Sequence, residues 1–340
     1  MATNNTPSTT LASTTGAPHS RIMSVGTYRP ERVVTNAEVC EWIDSSDEWI
    51  RERSGITERR HASESETVVS MAVAAATKAI ASAGIAPSDI GMVLLATVSH
   101  PYPTPSAAVE VAELIGARGA PAMDISAACA GFCYGVALAS DMVRSGSAGY
   151  VLVIGVEKLT DLVNKNDRGT AFLFADGAGA VVIGPSDTPG IAPVVWGGDG
   201  SQIDAINMTA SSVEFRDNPA LGYPTVVMAG QQVFRWAVTE MAKASRQALD
   251  KAGISADQLD AFIPHQANNR ITDALVRAIG LPEGIPVARD IVTMGNTSAA
   301  SIPLAMERML DSGEAPHGGT ALLIGFGAGL VYAAQVVTLP

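Results

Sequence analysis

The stretch SAGIAPSDIGMVLLA, Ser82–Ala96, is matched in the second half of the chain by KAGISADQLDAFIPH, Lys251–His265. Each contains an Ala-Gly-Ile turn, a short polar segment and an apolar run typical of a strand buried on both faces. Each is followed by a second matching segment, ISAACAGFCYGVALASDMVRSG at Ile125–Gly146 and MGNTSAASIPLAMERMLDSG at Met294–Gly313. The repeat predicts a duplicated fold in which two similar halves pack together.

The repeat also predicts which side chains meet. Counting 12 residues forward from the glycine of Ala-Gly-Ile gives Ala96 in one half and His265 in the other. Counting 17 residues back from the closing Ser-Gly gives Cys129 and Asn296. These positions fall at strand ends and helix starts, where the sites of α/β proteins gather. We therefore expect a thiol, an imidazole and an amide to share one site.

Outside the repeat, apolar strand-like runs alternate with helical patterns, which indicates βαβ units. Two stacked sets of such units predict an α/β fold with five layers, αβαβα. Residues 1–20 are rich in Thr, Ser, Pro and Ala and predict a disordered tail. The two halves are predicted at 21–185, with the nucleophile, and at 186–340, with the histidine and asparagine.

Composition narrows the class of protein. The net charge of −12 argues against nucleic-acid or anionic-membrane binding, although it leaves room for a local basic patch. Three cysteines are too few for a disulfide framework, and no metal-binding motif occurs, so no metal is expected. Without a secretory signal or a long apolar run, the chain is expected to be soluble and cytoplasmic.

Cys129 is the candidate nucleophile. A cysteine at a helix start has its thiolate stabilised by free N–H groups, and those groups can also receive an oxyanion. The alternative is a buried structural thiol, which we prefer for Cys40 and Cys133. His265 can stabilise negative charge or act as a base, or it is an ordinary loop histidine. Asn296 is an amide donor into the same site or simply a helix cap.

Taken together, the motifs resemble those of β-ketoacyl-acyl carrier protein synthase III, a condensing-enzyme family of the thiolase superfamily. The matching segments cover about residues 21–340 and stand in the order SSDEWIRERSGI, AACAGF, IPHQAN, GNTSAASIP and GFGAG. The resemblance implies a thiolase-like fold and a ping-pong, decarboxylative Claisen condensation. Cys129 would carry the acyl group from acyl-CoA, while His265 and Asn296 would hydrogen-bond the thioester oxygen of malonyl-acyl carrier protein.

The resemblance also implies roles for residues around the site. The oxyanion donors would be the backbone N–H groups of Cys129 and of Ala328, which stands where the family has glycine. Contacts to CoA fall on Trp49, Arg53, Arg168 and Asn268. Acyl carrier protein would dock on Arg235, Arg270 and Arg277. No cofactor is implied beyond the two substrates, and a homodimer is expected.

The resemblance places Thr104 where some relatives that use acetyl primers carry a phenylalanine at the end of the acyl pocket. A smaller side chain leaves space, and each buried CH₂ adds about 0.8 kcal/mol, so we predict primers longer or more branched than acetyl. The implied pathway is the initiation of fatty-acid or aromatic polyketide synthesis. The alternatives are an acyltransferase acting on a hydroxyl or amine, a non-catalytic partner subunit and a papain-like hydrolase.

Overall fold

The computed structural model describes residues 11–340. Its strands are β1 (His19–Tyr28), β2 (Arg32–Thr35), β3 (Glu58–His61), β4 (Ile90–Ala96), β5 (Ala122–Ile125), β6 (Tyr150–Lys158), β7 (Asp176–Ser186), β8 (Val195–Gly198), β9 (Ile206–Met208), β10 (Val226–Met228), β11 (Ala261–Pro264), β12 (Thr320–Gly327) and β13 (Val331–Thr338). Its helices are α1 (Asn36–Val39), α2 (Asp47–Ser54), α3 (Val68–Ala83), α4 (Ala107–Leu114), α5 (Gly131–Ser145), α6 (Ser212–Asp217), α7 (Gly230–Trp236), α8 (Ala242–Ala252), α9 (Asn269–Ile279), α10 (Ile291–Met294) and α11 (Ser301–Ser312). One π-helical turn, Ala237–Met241, joins α7 to α8.

Two sheets repeat one pattern. The first has the order β1-β7-β6-β4-β5 and the second the order β8-β13-β12-β11. In each, a central strand (β6 or β12) lies between a parallel neighbour (β4 or β11) and an antiparallel one (β7 or β13). A single bridge between Phe262 and Val287 stands in the second sheet where β5 stands in the first. The predicted duplication is therefore confirmed.

Five layers result from this arrangement. Helices α5 and α11 lie between the sheets, where side chains such as Phe132 and Met306 pack against Val153 of β6 and Leu323 of β12 in one core. Helices α3 and α4 cover the outer face of the first sheet, and α8 and α9 cover that of the second. Because β4, β6 and β12 are covered on both faces, their sequences are continuously apolar. The predicted αβαβα architecture is confirmed.

The repeated Ala-Gly-Ile turns end equivalent helices. Gly84 terminates α3 with a φ of 68°, and Gly253 terminates α8 with a φ of 71°. This left-handed conformation closes a helix, and glycine adopts it without the steric cost that a Cβ brings. The start of helix α3 is also fixed, because Thr67 and Ser70 form a reciprocal capping box.

One predicted equivalence is wrong. Cys129 lies in a short 3₁₀ turn, Ala128–Ala130, that precedes α5, and the matching turn is Ser298–Ala300 before α11. The first residues of these turns, Ala128 and Ser298, have φ of 45° and 49° and are 170 residues apart. The counterpart of Cys129 is therefore Ala299, not Asn296. Counting back from Ser-Gly failed because α5 has 15 residues and α11 has 12.

The predicted disordered tail, residues 1–20, overlaps the start of strand β1. Residues 1–10 lie outside the described part of the chain, and residues 11–18 have no regular secondary structure. Strand β1 already begins at His19, and Ser20 is 2% exposed, with its hydroxyl 2.8 Å from that of Ser140 in α5. Thr14 also donates a hydrogen bond of 2.6 Å to the Ser145 carbonyl. Tail residues next to β1 are thus attached to α5.

The predicted boundary at 185–186 falls on the last residues of β7. Since both sheets share the core around α5 and α11, the division into two halves describes the repeat, and separate domains stay a prediction. Among residues 11–340 no helix combines the length and apolar character needed to cross a bilayer. The cytoplasmic location also stays a prediction.

Candidate active site

A cavity of about 650 Å³ lies where the two turns face the ends of β6, β11 and β12. Ten of the twelve residues predicted for the site line it: Trp49, Arg53, Cys129, Arg168, Arg235, His265, Asn268, Arg270, Asn296 and Ala328. Thr104 and Arg277 are exposed and do not line it. The cavity therefore combines the predicted nucleophile, its polar partners and the predicted CoA contacts.

Cys129 lies against the end of β12. A side-chain carbon on Gly327 would approach the Cys129 nitrogen to 2.8 Å and the sulfur to 3.1 Å, so only glycine lets this strand come so close. Burial raises the pKa of Cys129 to about 12, the Ser298 hydroxyl acts to lower it, and the charge of Glu157 raises it further. The resting group is consequently a thiol. The backbone N–H of the turn acts to lower the pKa, as expected at a helix start, but desolvation exceeds its effect.

His265 is held as a neutral ring. Its Nδ1 lies 2.8 Å from the Ser301 hydroxyl, which also accepts the Gln266 N–H at 3.2 Å. The hydroxyl accepts from the backbone, and we assign its proton to a hydrogen bond with Nδ1, which leaves Nε2 as the protonated nitrogen. The ring packs edge-on against Phe326 at 5.2 Å, and burial lowers the pKa of His265 to about 3. The side chain is thus a neutral N–H donor.

Asn296 is fixed through both backbone and side chain. Its N–H donates to the Leu173 carbonyl and its carbonyl accepts the Ala175 N–H, each at 2.9 Å. The side-chain Oδ1 accepts the Ser298 N–H at 2.9 Å, which leaves Nδ2 as a donor at the cavity wall. The residue therefore caps the turn with its oxygen, and its nitrogen is available to a ligand.

Sequence reasoning missed the carboxyl beneath this site. Glu157, at the end of β6, is 0% exposed and accepts hydrogen bonds from the hydroxyls of Ser99 (2.6 Å), Thr97 (3.1 Å) and Ser298 (3.1 Å). The Val98 N–H adds another at 3.1 Å. Burial raises the pKa of Glu157 to about 7 despite these donors. The available signal was a single acidic residue in the otherwise apolar run YVLVIGVE.

The predicted CoA contacts surround Trp49 at the cavity mouth. The guanidinium carbon of Arg168 lies 4.4 Å from the ring centroid, and that of Arg53 lies 5.6 Å away. Asn268 donates from Nδ2 to the Arg53 carbonyl and accepts the Arg270 N–H, both at 2.8 Å. Asn268 thereby caps α9 and joins it to α2, a structural role that its motif did not reveal.

The predicted docking arginines are only partly together. Arg235 and Arg270 are both exposed at the cavity, and the Arg270 guanidinium carbon lies 5.7 Å from the ring of Phe234. Arg277 is on the last turn of the same helix α9, about 10 Å further along its axis. The basic surface therefore begins at the cavity mouth and continues along α9.

Ala328 keeps an ordinary backbone. Within residues 11–340, the non-glycine residues with positive φ are Ala128 and Ser298. Ala328 is not among them, and it lines the cavity immediately after Gly327. Alanine is therefore accommodated at this position without left-handed strain.

Comparison with known proteins agrees with these motifs. A family model of 3-oxoacyl-[acyl-carrier-protein] synthase III matches residues 123–200, and the model of its C-terminal region matches residues 249–339. The β-ketoacyl-[acyl-carrier-protein] synthase III of Streptomyces glaucescens is 58% identical over 325 residues, which cover 96% of this chain and 98% of that protein. Synthase III 1 of Streptomyces coelicolor is 58% identical over 335 residues, with the same coverage.

Solved structures give the same result. The crystal structure of the priming β-ketosynthase from the R1128 polyketide biosynthetic pathway has a TM-score of 0.95 and 47% identity, covering 98% of this chain and 99% of its own. A 3-oxoacyl-[acyl-carrier-protein] synthase III from Aquifex aeolicus has a TM-score of 0.87 and 38% identity, covering 94% of this chain and 99% of its own. From this similarity along nearly its whole length, the chain belongs to the β-ketoacyl-acyl carrier protein synthase III family of condensing enzymes.

Proposed function

We propose that this protein condenses an acyl-CoA primer with malonyl-acyl carrier protein through an acyl-Cys129 intermediate. The observation that carries the proposal is that Cys129, His265 and Asn296 line one cavity, each with the donor or nucleophile its role requires. The enzyme would then be an acyltransferase of the condensing type. It would use no cofactor beyond its two substrates.

In the first half-reaction, the Cys129 sulfur attacks the thioester carbon of acyl-CoA and the bond from that carbon to the CoA sulfur breaks. The oxygen that gains negative charge would be received by the backbone N–H groups of Cys129 and Ala328. Because these donors belong to the turn and to the segment after β12, both are fixed before substrate binds. CoA leaves, and the acyl group stays on the sulfur.

In the second half-reaction, malonyl-acyl carrier protein loses CO₂ and its thioester oxygen becomes an enolate oxygen. The Nε2–H of His265 and the Nδ2–H of Asn296 would donate to that oxygen. A neutral imidazole suits this task, since it donates a hydrogen bond without giving up its proton to the enolate. The enolate carbon then attacks the acyl carbonyl, the bond to Cys129 breaks, and a 3-oxoacyl-acyl carrier protein is released.

Trp49, Arg53, Arg168 and Asn268 would hold the nucleotide and pantetheine parts of CoA. Stacking an adenine between Trp49 and Arg168 needs two contacts of about 3.5 Å, roughly 7 Å in all. Arg168 lies 4.4 Å from the Trp49 ring centroid, so it must move aside when CoA binds. Its exposed surroundings allow that movement.

Arg235, Arg270 and Arg277 would dock the acidic acyl carrier protein. Positive side chains at the mouth of a cavity guide an acidic partner even when the enzyme as a whole carries net negative charge. Arg235 and Arg270 stand at the mouth, and Arg277 would extend the contact along α9.

A homodimer would explain the exposed edge of the first sheet. Strand β5 is the last strand of that sheet, and apolar side chains are exposed on it and around it, namely Val98, Tyr102, Val109, Leu114 and Met123. An unpaired apolar edge of this kind is typical of an interface. Thr104 belongs to the same exposed loop as Val98, which lines the cavity, so dimerisation would enclose Thr104 beside an acyl pocket.

The primer would be longer or more branched than acetyl, and the product would start a fatty acid or an aromatic polyketide. The decisive test is intact mass after incubation with a panel of acyl-CoAs, with Cys129→Ala as the control. We expect one acyl adduct that the control lacks and that malonyl-acyl carrier protein discharges with CO₂. An adduct discharged only by a hydroxyl or amine acceptor would indicate the alternative acyltransferase, and no adduct would contradict the proposal.

A further inference from the structure

A buried carboxyl stands behind the nucleophile, and no step of the proposed reaction uses it. Glu157 Oε1 accepts the Ser298 hydroxyl at 3.1 Å, and Ser298 lines the cavity together with Cys129, where its hydroxyl acts to lower the pKa of the thiol. Both Glu157 and Ser298 are closed to solvent, at 0% and 2% exposed. The thiol, the hydroxyl and the carboxyl therefore form one cluster that extends from the cavity wall into the protein.

The Ser298 hydroxyl has one proton and lies between two groups that could take it, the Cys129 sulfur and the Glu157 carboxyl. When Glu157 is ionised, Ser298 donates to the carboxylate and can only accept from the thiol. When Glu157 is protonated, its own proton can go to the Ser298 oxygen, and the hydroxyl proton is then free for a thiolate. The path thus has two complete hydrogen-bond arrangements that differ by the transfer of one proton.

We propose that Glu157 takes the proton of Cys129 through the Ser298 hydroxyl during acylation and returns it when the condensation product leaves. This inference rests on the proposed acyl-Cys129 step. Ser298 lines the cavity together with Cys129, whereas Glu157 acts only through Ser298.

The proton balance closes over the whole cycle. As sulfur attacks the thioester, the S–H bond breaks, an O–H bond forms at Ser298, and the original Ser298 proton forms an O–H bond on Glu157. CoA leaves as a thiolate and takes a proton from solvent. When the enolate displaces Cys129, Ser298 gives its proton to the sulfur and Glu157 gives its proton to Ser298. The enzyme returns to its starting state.

Neighbouring groups favour Glu157 over other acceptors. His265 has a pKa of about 3 and is a poor base, whereas burial places the pKa of Glu157 at about 7. No Lys, Arg or His forms an ion pair with Glu157 within residues 11–340. The adjacent Lys158 directs its Nζ to the Ser63 carbonyl at 2.8 Å. Cys129 is the titratable group that faces Glu157 across the turn.

The test is the rate of CoA release in a single acylation, measured from pH 6 to pH 10 with Glu157→Gln. Glutamine preserves the shape of the side chain but takes no proton. We expect a loss of about 100-fold at pH 7, in the range of general base catalysis. The remaining rate should rise about tenfold for each pH unit, because the thiol, with its pKa of about 12, must then ionise to solvent. A purely structural role would lower the rate equally at every pH and would overturn the proposal.

Ser298→Ala provides a second variant if Glu157→Gln folds poorly. Alanine already occupies the matching left-handed position, Ala128, so this backbone tolerates it. We expect the same hydroxide dependence, and no further loss when both changes are combined, since both break one path. Additive losses would contradict the relay.

Asp176→Asn is the matched control. Asp176 is a second buried carboxyl, on the neighbouring strand, with a pKa raised by burial to about 6, and it does not line the cavity. Asp176→Asn should keep the pH profile of the wild-type enzyme. A profile like that of Glu157→Gln would contradict the proposal. If wild type forms no adduct at Cys129, the nucleophile assignment fails. If it does and Glu157→Gln matches it at every pH, only the relay fails.

Discussion

The two turns of the molecule share a backbone and differ in chemistry. Ala128–Ala130 and Ser298–Ala300 both begin with a residue of positive φ, and each leads into a helix between the sheets. At the middle position one turn has Cys129 and the other has Ala299. Two residues before each turn, the first half has the exposed Ser126 and the second has the buried Asn296. The two halves therefore share one backbone conformation at the turns, and their different side chains give the turns different chemical roles.

The strand ends opposite the turns differ in the same way. Glu157, at the end of β6, accepts a hydrogen bond from Ser298 of the second turn. Its counterpart 170 residues later is Gly327, at the end of β12, which lies against Cys129 of the first turn. Each half thus packs against the turn of the other half. Glu157 of the first half accepts a hydrogen bond from the second turn, whereas Gly327 of the second half has no side chain and leaves space for the first turn. The nucleophile occupies the side where the strand has no side chain.

The strongest test of this comparison moves the thiol to the other turn. In the double variant Cys129→Ala with Ala299→Cys, we expect no acyl adduct by intact mass. Ala299 is 1% exposed and lies against Gly155, so a sulfur there would not reach a substrate. Acylation of the new cysteine would show that turn geometry alone creates the nucleophile, and that the space left by Gly327 is not required.

A second test compares the residues before the turns. Asn296→Ala should slow decarboxylation of malonyl-acyl carrier protein by about 10²–10³-fold, the usual effect of losing one oxyanion donor. Acylation of Cys129 should continue, so the adduct should accumulate. The matched variant Ser126→Ala should release CO₂ at the wild-type rate. Equal losses in the two variants would mean that Asn296 acts by supporting its turn and not by donating to substrate.

Much of the fold and of this site was predictable, because the site residues lie next to strands and helix ends that the sequence pattern marks clearly. Apolar runs revealed the strands, and the glycine after each Ala marked the helix ends at Gly84 and Gly253. The alignment of the turns was not predictable from spacing, since helix length differs between halves. The pKa of Cys129 depends on burial, and Glu157 reads in sequence as the polar end of a strand. Thr104 lies in an exposed loop, so its proposed role depends on a partner subunit.

A third test concerns the glycines that face the turns. A side-chain carbon on Gly155 would clash directly with the Ala299 oxygen, whereas one on Gly325 would lie 3.1 Å from the Cys129 oxygen. We expect Gly155→Ala to lower the free energy of unfolding by about 3 kcal/mol and Gly325→Ala by about 1 kcal/mol, as overpacking does. Urea denaturation of both variants would measure the difference. Equal values would show that the two turns shift with equal ease.

A fourth test concerns the first residue of each helix. Ser301 of α11 contacts His265, while its counterpart Gly131 of α5 packs against Ala96, where an added carbon would lie 2.7 Å from the Ala96 Cβ. Ser301→Ala removes the hydrogen bond that fixes the Nε2–H tautomer, so we expect decarboxylation to slow about tenfold, equivalent to about 1.4 kcal/mol. The rate of CoA release from acyl-CoA should not change, because that step does not involve His265. A fall in both rates would show instead that Ser301 serves the packing of α11 and that only the turns, not the helices behind them, have been specialised.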